Sequence, residues 1–330
     1  MSYSKVLAIV HGTCHDGVGA GYCIYKKLNQ THDLEMLFVS PSNQDQMLSY
    51  LKDYVQLYPN AQVRFFDLGL RGVILESIDS LGCNYLAFDH HSGSHKDITS
   101  YYQSVGKDVP HQYTFDNNRS GVRLAWDHLF PEEEIPKFLA YLEDGDLWRF
   151  SLEDAQAIIT GLHSMLPLNF STELNHPELL YKEWDNLQND PNFINRAKEI
   201  GSYLLKDQEK QMNTLKSKAA IVNVNGLKVY MVNTSSFDIV SKMGNMLAKL
   251  KDENNQYLAD YAMLWYYDAK NKNYCASLRS RNANDQGVDV SQIAKEFDPN
   301  GGGHYSASGF KTNNIWKTLG INSSSTEENS

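Results

Sequence analysis

No stretch of this chain is apolar for the roughly 20 consecutive residues that a membrane-spanning helix requires. Basic residues are in the minority. Lys and Arg number 30 against 40 Asp and Glu, a formal net charge of −10 at pH 7. That deficit argues against a broad footprint on long nucleic acid, where affinity comes largely from cations meeting phosphates. It leaves room for a small phosphorylated ligand held in a local pocket. Cysteine is scarce, and Cys14, Cys23, Cys83 and Cys275 form no CxxC pair. A disulfide framework and a cysteine-rich structural zinc site are thereby disfavoured, and a reducing, cytoplasmic compartment is the default expectation. The opening residues, MSYSKVLAIV, lack the basic region, long apolar core and small-residue cleavage site of a signal peptide. No internal repeat is evident.

What is there is a chain of 330 residues, longer than one hydrophobic core usually serves, so two domains are expected. The excess of carboxylate suits a divalent metal, which needs anionic oxygen ligands. Residues 5–10 read as a buried strand followed by a helix over 17–28. Residues 61–67 and 84–89 read as further strands, with helical stretches such as 44–54 between. Apolar runs alternating with helices predict βαβ units and a parallel sheet, an α/β fold. Polar motifs follow the C-terminal ends of three of these strands, the edge at which open α/β sheets bind ligands.

Residues 119–143 read as helical, broken near Pro131, and 165–190 as polar and irregular. A long helix over about 192–217 reads as a connector. Beyond it, strands are expected at 219–223, 228–233, 261–267 and 274–279, and helices at 238–250 and 290–297, forming a smaller α/β unit. The expected division is 1–190, a connecting helix 191–217, a second domain 218–318 and a disordered tail 319–330.

The acids and imidazoles that could do chemistry are His11, Asp16, Asp67, Asp89, His90, His91, Asp144 and Asp146. A lone polar residue after a strand is often a turn former or helix cap. Asp89-His90-His91 is different, because three adjacent metal-competent groups at a strand end are seldom needed for packing. Mixed carboxylate and imidazole ligands suit manganese, iron or zinc, or magnesium where carboxylates dominate. The turn after the first strand, HGTCHDG, adds Cys14 and His15. It is compatible with a metal site, a thiol nucleophile or a polar turn.

Five segments occur in order: HGTCHDGVGAG, FDLG, FDHHS, EDGDLWRF and GGGHYSASGF. Together they resemble the DHH phosphoesterase superfamily, in the branch with a C-terminal DHHA1 domain, from about residue 5 to 310. The segment FDNNRSGVRLAW resembles the Ser-Gly helix start that follows the DHH motif. The resemblance implies a two-domain, metal-dependent phosphodiesterase. His11 and Asp16 would be ligands, Asp67 would bridge two ions, and His90 would ligate. Asp89 and His91 would be catalytic partners that orient ligands or supply a proton. Asp144 is favoured as the ligand from EDGDLW, with Asp146 as its rival. Arg279, Arg281, Gly301, Gly302, Gly303 and His304 would bind substrate phosphate in the second domain, and Arg119 and Ser120 are further substrate-binding candidates. Manganese is the first choice of cofactor, with zinc, iron and magnesium as alternatives.

One position departs from the family pattern. Cys14 stands where the first of two carboxylates usually does, which shifts preference toward softer metals or leaves one metal position incomplete. His15 reads as a solvent-facing turn residue, Trp126 and Trp148 as core, and Cys23, Cys83 and Cys275 as buried structural residues. The expected substrates are di- to penta-ribonucleotides, linearised cyclic dinucleotides or 3′-phosphoadenosine 5′-phosphate. A phosphoanhydride hydrolase and a catalytically impaired nucleotide-binding protein are the alternatives. No membrane partner is expected, and a homodimer is a compatible assembly.

Overall fold

The computed structural model describes residues 4–168 and 177–321. The chain divides between Leu205 and Lys206 into two compact units. In the first, five strands form one sheet: β1 (Lys5–His11), β2 (Asp33–Val39), β3 (Gln62–Phe66), β4 (Asn84–Asp89) and β5 (Tyr113–Phe115). Their order is β2-β1-β3-β4-β5, and every pairing is parallel. The edge strand β2, DLEMLFV, was not among the strands expected from sequence. Helices α1 (His15–Leu28), α2 (Gln44–Leu57), α3 (Gly72–Asp79) and α4 (Ser92–Ser104) alternate with the strands.

β1 reads as an unbroken apolar run because both faces of a central parallel strand are covered. Successive residues point to opposite faces. Ala8 and Val10 therefore join Phe66, Phe88 and residues of α1, while Leu7 and Ile9 join Val63, Phe65 and residues of α2, α3 and α4. Each fully buried Leu, Ile or Phe contributes about 1.5–3 kcal/mol of transfer free energy. The first of these cores is completed by α5 (Gly121–Leu129), α6 (Lys137–Asp146), α7 (Ala155–Met165), α8 (Pro177–Gln188) and the start of α9 (Phe193–Lys216).

α8 corrects the expectation of an irregular 165–190. Pro177 occupies the first residue of the helix, where a missing N–H costs nothing. The helix buries Tyr181 and Trp184 against Tyr22 of α1. The rest of that expected irregular stretch, 169–176, lies outside the described residues. α7 and α9 approach closely enough that a Cβ on Gly161 would collide with the Ala197 carbonyl, and one on Gly201 with that of Ala157.

The second unit holds a six-stranded sheet of β6 (Ala220–Val224), β7 (Leu227–Asn233), β8 (Tyr261–Asp268), β9 (Asn273–Ser280), β10 (Gly302–His304) and β11 (Ala307–Thr312). The order is β10-β11-β9-β8-β7-β6, with only β7 and β8 parallel. Helix α10 (Phe237–Ala248) packs Met243 and Leu247 on Ala262 and Leu264. Helices α11 (Val290–Phe297) and α12 (Ile315–Thr318) pack on the alternate residues Tyr261, Met263 and Leu278. Leu319 is buried and Ile321 packs on the same core, so the tail expected from 319 begins inside the fold; residues 322–330 lie outside the described residues. Among the described residues no helix is long and apolar enough to cross a membrane.

Candidate metal centre

The parallel register brings the motif residues together. His11 ends β1, Asp67 follows β3, and Asp89 ends β4, with Val10 beside Phe66 and Phe66 beside Phe88 in the sheet. Asp16 enters from the first turn of α1 and Asp146 from the C-terminal end of α6. Asp67 has a left-handed backbone, φ 61°, fixed by its N–H bond to the Phe88 carbonyl at 3.0 Å. An Asp tolerates that region better than a bulky residue does. Two glycines allow the approach. A Cβ on Gly17 would strike His11, and one on Gly121 would lie 2.5 Å from the Asp67 Cβ and 2.8 Å from Asp16 Oδ2. Gly121 was not picked out from sequence; its only signal is its place at the Ser-Gly start of a helix.

His90 Nε2 lies 3.0 Å from Asp67 Oδ1, 3.5 Å from Asp146 Oδ2 and 3.6 Å from Asp16 Oδ2. His11 Nδ1 lies 3.4 Å from Asp67 Oδ2 and 3.1 Å from Cys14 Sγ, whose S–H donates to Asp67 Oδ2 at 3.3 Å. Among the described residues three groupings follow, each able to offer ligands to one ion: His11, Cys14 and Asp67; Asp67, His90 and His91; Asp16, His90 and Asp146. Asp16 has a second task. Its carboxylate accepts the N–H groups of Gly121 at 2.6 Å and Val122 at 2.9 Å, holding the N-terminus of α5. Asp89 Oδ1 accepts from the His90 and His91 backbone and lies 2.7 Å from His91 Nδ1, fixing that ring.

The electrostatics follow from burial and crowding. Burial pushes the Asp16 carboxyl well up, and the Asp146 and Asp67 charges push further. Asp146 is raised by burial and by Asp67. Burial would raise Asp67 too, but hydrogen bonds from His11 and His90 outweigh it and hold Asp67 well below the carboxylate range. Burial disfavours the charged His90 ring, yet the bond to Asp67 and the charges of Asp16, Asp67 and Asp146 carry it up to about 9. His91 is raised against burial by Asp89. Burial, Asp67 and Asp16 all push the Cys14 thiol up, so without a cation it keeps its proton.

This donor set fits a divalent cation. Three carboxylate oxygens converge on one imidazole nitrogen, which carries at most one proton to share among them. Asp16 and Asp67 are buried and Asp146 is open to solvent; a doubly charged cation would offset the negative charge that the three bring together. The mix of oxygen and nitrogen with one sulfur suits manganese, iron or zinc.

Several expected site residues sit elsewhere. Asp144 is turned away from the cluster. It accepts from Ser151 N at 2.9 Å, Ser151 Oγ at 2.7 Å and Leu152 N at 3.3 Å, which hold its carboxyl below the usual range despite burial. Asp146 takes the place expected of Asp144. The stretch is helical rather than extended, and two residues rotate a helix by about 200°, so the two acids still diverge. Arg281, expected at a substrate phosphate, is occupied within the fold. It is buried, donates to the carbonyls of Ala248, Ala259, Asp285 and Gln286, and stacks 3.9 Å from the Tyr257 ring centroid. Arg119 is engaged by Asp116 and Asp127, and buried Ser120 caps α5, so both order the helix start.

Arg279 is part-buried, with Nη2 on Ser241 Oγ at 2.9 Å. It shares a cross-strand row with Ala307 and the exposed His304. Gly301 and Gly302 are part-buried and Gly303 is exposed, with φ 144°. His15 does not face solvent. It stacks on His163 with centroids 4.3 Å apart and bonds the Leu166 carbonyl at 3.0 Å, and burial lowers its pKa. Cys23 is buried, but Cys83 and Cys275 are only part-buried. Trp126 is in the core, whereas Trp148 is 56% exposed.

No family model matches the sequence. The chain is 24% identical over 316 residues to uncharacterized protein R106 of Acanthamoeba polyphaga mimivirus, covering 94% of this chain and 68% of that protein. Among solved structures it is similar to the pGpG-specific phosphodiesterase PggH of Vibrio cholerae, at 13% identity over 93% of each chain, TM-score 0.44. It is similar also to RecJ of Thermus thermophilus in complex with Mn2+, at 12% identity over 93% of this chain and 49% of that one, TM-score 0.49. The chemistry of the site rests on the cluster's own residues.

Proposed function

We propose that the chain is a metal-dependent phosphodiesterase of the DHH superfamily that hydrolyses short nucleotides to mononucleotides. The observation that carries this reading is the meeting of Asp16, Asp67 and Asp146 at His90 on the C-terminal edge of a parallel sheet, three carboxylate oxygens within 3.6 Å of one imidazole nitrogen. His11, Asp16, Asp67, His90 and Asp146 would hold the metal, with Cys14 beside them. A divalent ion there supplies Lewis acidity toward a phosphoryl oxygen and lowers the pKa of water to the neutral range. Asp67 stays ionised across the working pH range and belongs to two ligand groupings. Asp89 pins His91 Nδ1, which leaves Nε2 to hand a proton to a leaving oxygen, and the raised His91 pKa keeps that proton available. In the second unit, Arg279 and His304 are the proposed contacts for a substrate phosphate.

The test is a labelled, 5′-phosphorylated dinucleotide incubated with the purified chain and Mn2+, Zn2+, Fe2+ or Mg2+. Mononucleotide release that Asp67→Asn reduces at least about 1,000-fold is expected, the scale set by losing a group central to transition-state charge stabilisation. Absence of mononucleotide with every metal would sink the reading. Faster release of phosphate from pyrophosphate than of nucleotide from the dinucleotide would replace it with phosphoanhydride hydrolysis.

A further inference from the structure

Trp148 is the feature that neither the core nor the metal centre explains. Trp126 and Trp184 are almost wholly buried, whereas Trp148 leaves 56% of its surface to solvent. It also carries a left-handed backbone, φ 56°, and Phe150 another, φ 47°. For bulky residues that region is an outlier, tolerated only where surrounding structure imposes it. Here the imposing group is Asp144. Its carbonyl accepts from Arg149 N and Phe150 N, and its carboxylate accepts from Ser151 and Leu152. The loop after α6 is thus built to a fixed shape. What it displays is an indole braced edge-on by Phe150, ring centroids 5.0 Å apart.

Burial does not recompense this conformation, since the ring is mostly exposed, and glycine would adopt the backbone without strain. The position supplies the reason. Trp148 follows Asp146 by two residues, a backbone reach of at most about 7 Å, and Asp146 is the member of the carboxylate trio at the end of its helix. Arg149, next along, keeps 43% of its side chain exposed, and its guanidinium is held by Glu143 and the Asn118 carbonyl. An exposed aromatic face next to a phosphate-cleaving centre matches a nucleotide: the ring takes the base.

Resting on the phosphodiesterase reading, we infer that Trp148 is the stacking platform for the nucleobase adjoining the scissile phosphate. The enzyme therefore selects base-bearing phosphodiesters over bare sugar phosphates and phosphoanhydrides. Trp148 is a specificity-determining contact with no part in the chemical step, so its removal acts on KM and product affinity rather than on kcat.

The experiment compares full-length wild type, Trp148→Phe, Trp148→Ala and Trp148→Gly, all loaded with Mn2+. Calorimetry with GMP and with ribose 5-phosphate reads the base contact without turnover. Steady-state kinetics on a phosphorylated dinucleotide and on its abasic counterpart read it during turnover. Trp148→Ala is expected to weaken GMP binding and raise the dinucleotide KM by about 10- to 100-fold. It should leave ribose 5-phosphate and the abasic compound unchanged, and Trp148→Phe should restore most of the loss. Trp148→Gly should lose the same affinity yet melt no lower than wild type, which a structural role for the indole would not permit. Equal losses on base-bearing and abasic ligands, or GMP binding indifferent to Trp148→Ala, overturn the inference. Dinucleotide hydrolysis without Trp148 dependence sinks the base contact alone. Trp148-dependent GMP binding without any hydrolysis supports the base contact and sinks the phosphodiesterase reading.

Discussion

Gly121→Ala isolates the packing on which the candidate centre depends. Gly121 opens α5 without a left-handed backbone, so in an open helix alanine there would stabilise the protein by roughly 0.4–1 kcal/mol. Here the new methyl would lie 2.5 Å from the Asp67 Cβ and 2.8 Å from both Asp67 Cγ and Asp16 Oδ2. None of those atoms is the free end of a flexible chain. Asp67 is held by its backbone bond to Phe88, and Asp16 by the N–H groups of Gly121 and Val122. Overpacking of this kind costs about 1–3 kcal/mol, and strain on the Asp16 bonds adds to it, so net destabilisation of about 1–3 kcal/mol is expected. Urea denaturation of the metal-free chain measures it, and calorimetry with Mn2+ measures the accompanying loss of metal affinity. Gly82→Ala is the control. Its Cβ would meet nothing, but its φ is +63°, so it should cost about 1 kcal/mol and leave Mn2+ binding unchanged. A Gly121→Ala chain as stable as wild type with unaltered Mn2+ affinity would refute the account of how Asp16 and Asp67 are positioned.

Asp144→Asn and Asp146→Asn should separate cleanly. The first removes charge-assisted bonds to Ser151 and Leu152 and lowers stability by about 1.5–3 kcal/mol with Mn2+ still bound, while the second spares stability and weakens Mn2+ in calorimetry. Arg281→Met leaves the carbonyls of Ala248, Ala259, Asp285 and Gln286 without their donor, and a loss of at least about 3 kcal/mol is expected by urea titration; a stable variant would mean these bonds are replaced by water. In metal-free protein the folded His90 pKa of about 9 stands above its ordinary 6.5, so its contribution is full below pH 6.5 and is lost as pH rises through 9. The loss is up to about 3 kcal/mol, read from urea midpoints at about pH 6 and about pH 9.5 and flattened in His90→Asn; a midpoint that rises with pH across that window contradicts it.

The parallel sheet and the residues of its working edge were legible for one reason. Strands buried on both faces announce themselves as apolar runs, and the C-terminal ends of parallel strands fall on one edge. His11, Asp67, Asp89 and His90 could therefore be placed together from their strands alone. What failed depended on details that side-chain chemistry does not advertise. The choice between Asp144 and Asp146 turns on the helical phase at the last turn of α6 and on two backbone N–H groups two turns onward. Arg281 resembled a phosphate ligand because its partners are main-chain carbonyls, which every residue has and none signals. The stretch 165–190 read as irregular, and Pro177 is the start of α8. Trp148 looked like core because hydropathy says nothing of which way a strained loop turns a ring.

The left-handed Asp67 carries a consequence for how metal and folding are coupled. Its backbone is held by Phe88, so its carboxylate reaches position only after β3 and β4 have paired, and the other proposed ligands arrive from α1, α6 and the far end of β1. A denatured chain would have to close long loops to gather the same atoms, and the entropy of doing so leaves it with little affinity for the ion. Metal would then bind the native state almost alone and stabilise it by mass action, about 2.7 kcal/mol at a hundredfold excess over Kd. On the proposed reading the centre would act as a checkpoint on its own architecture: a molecule with a misregistered sheet could not gather the ligands for an ion.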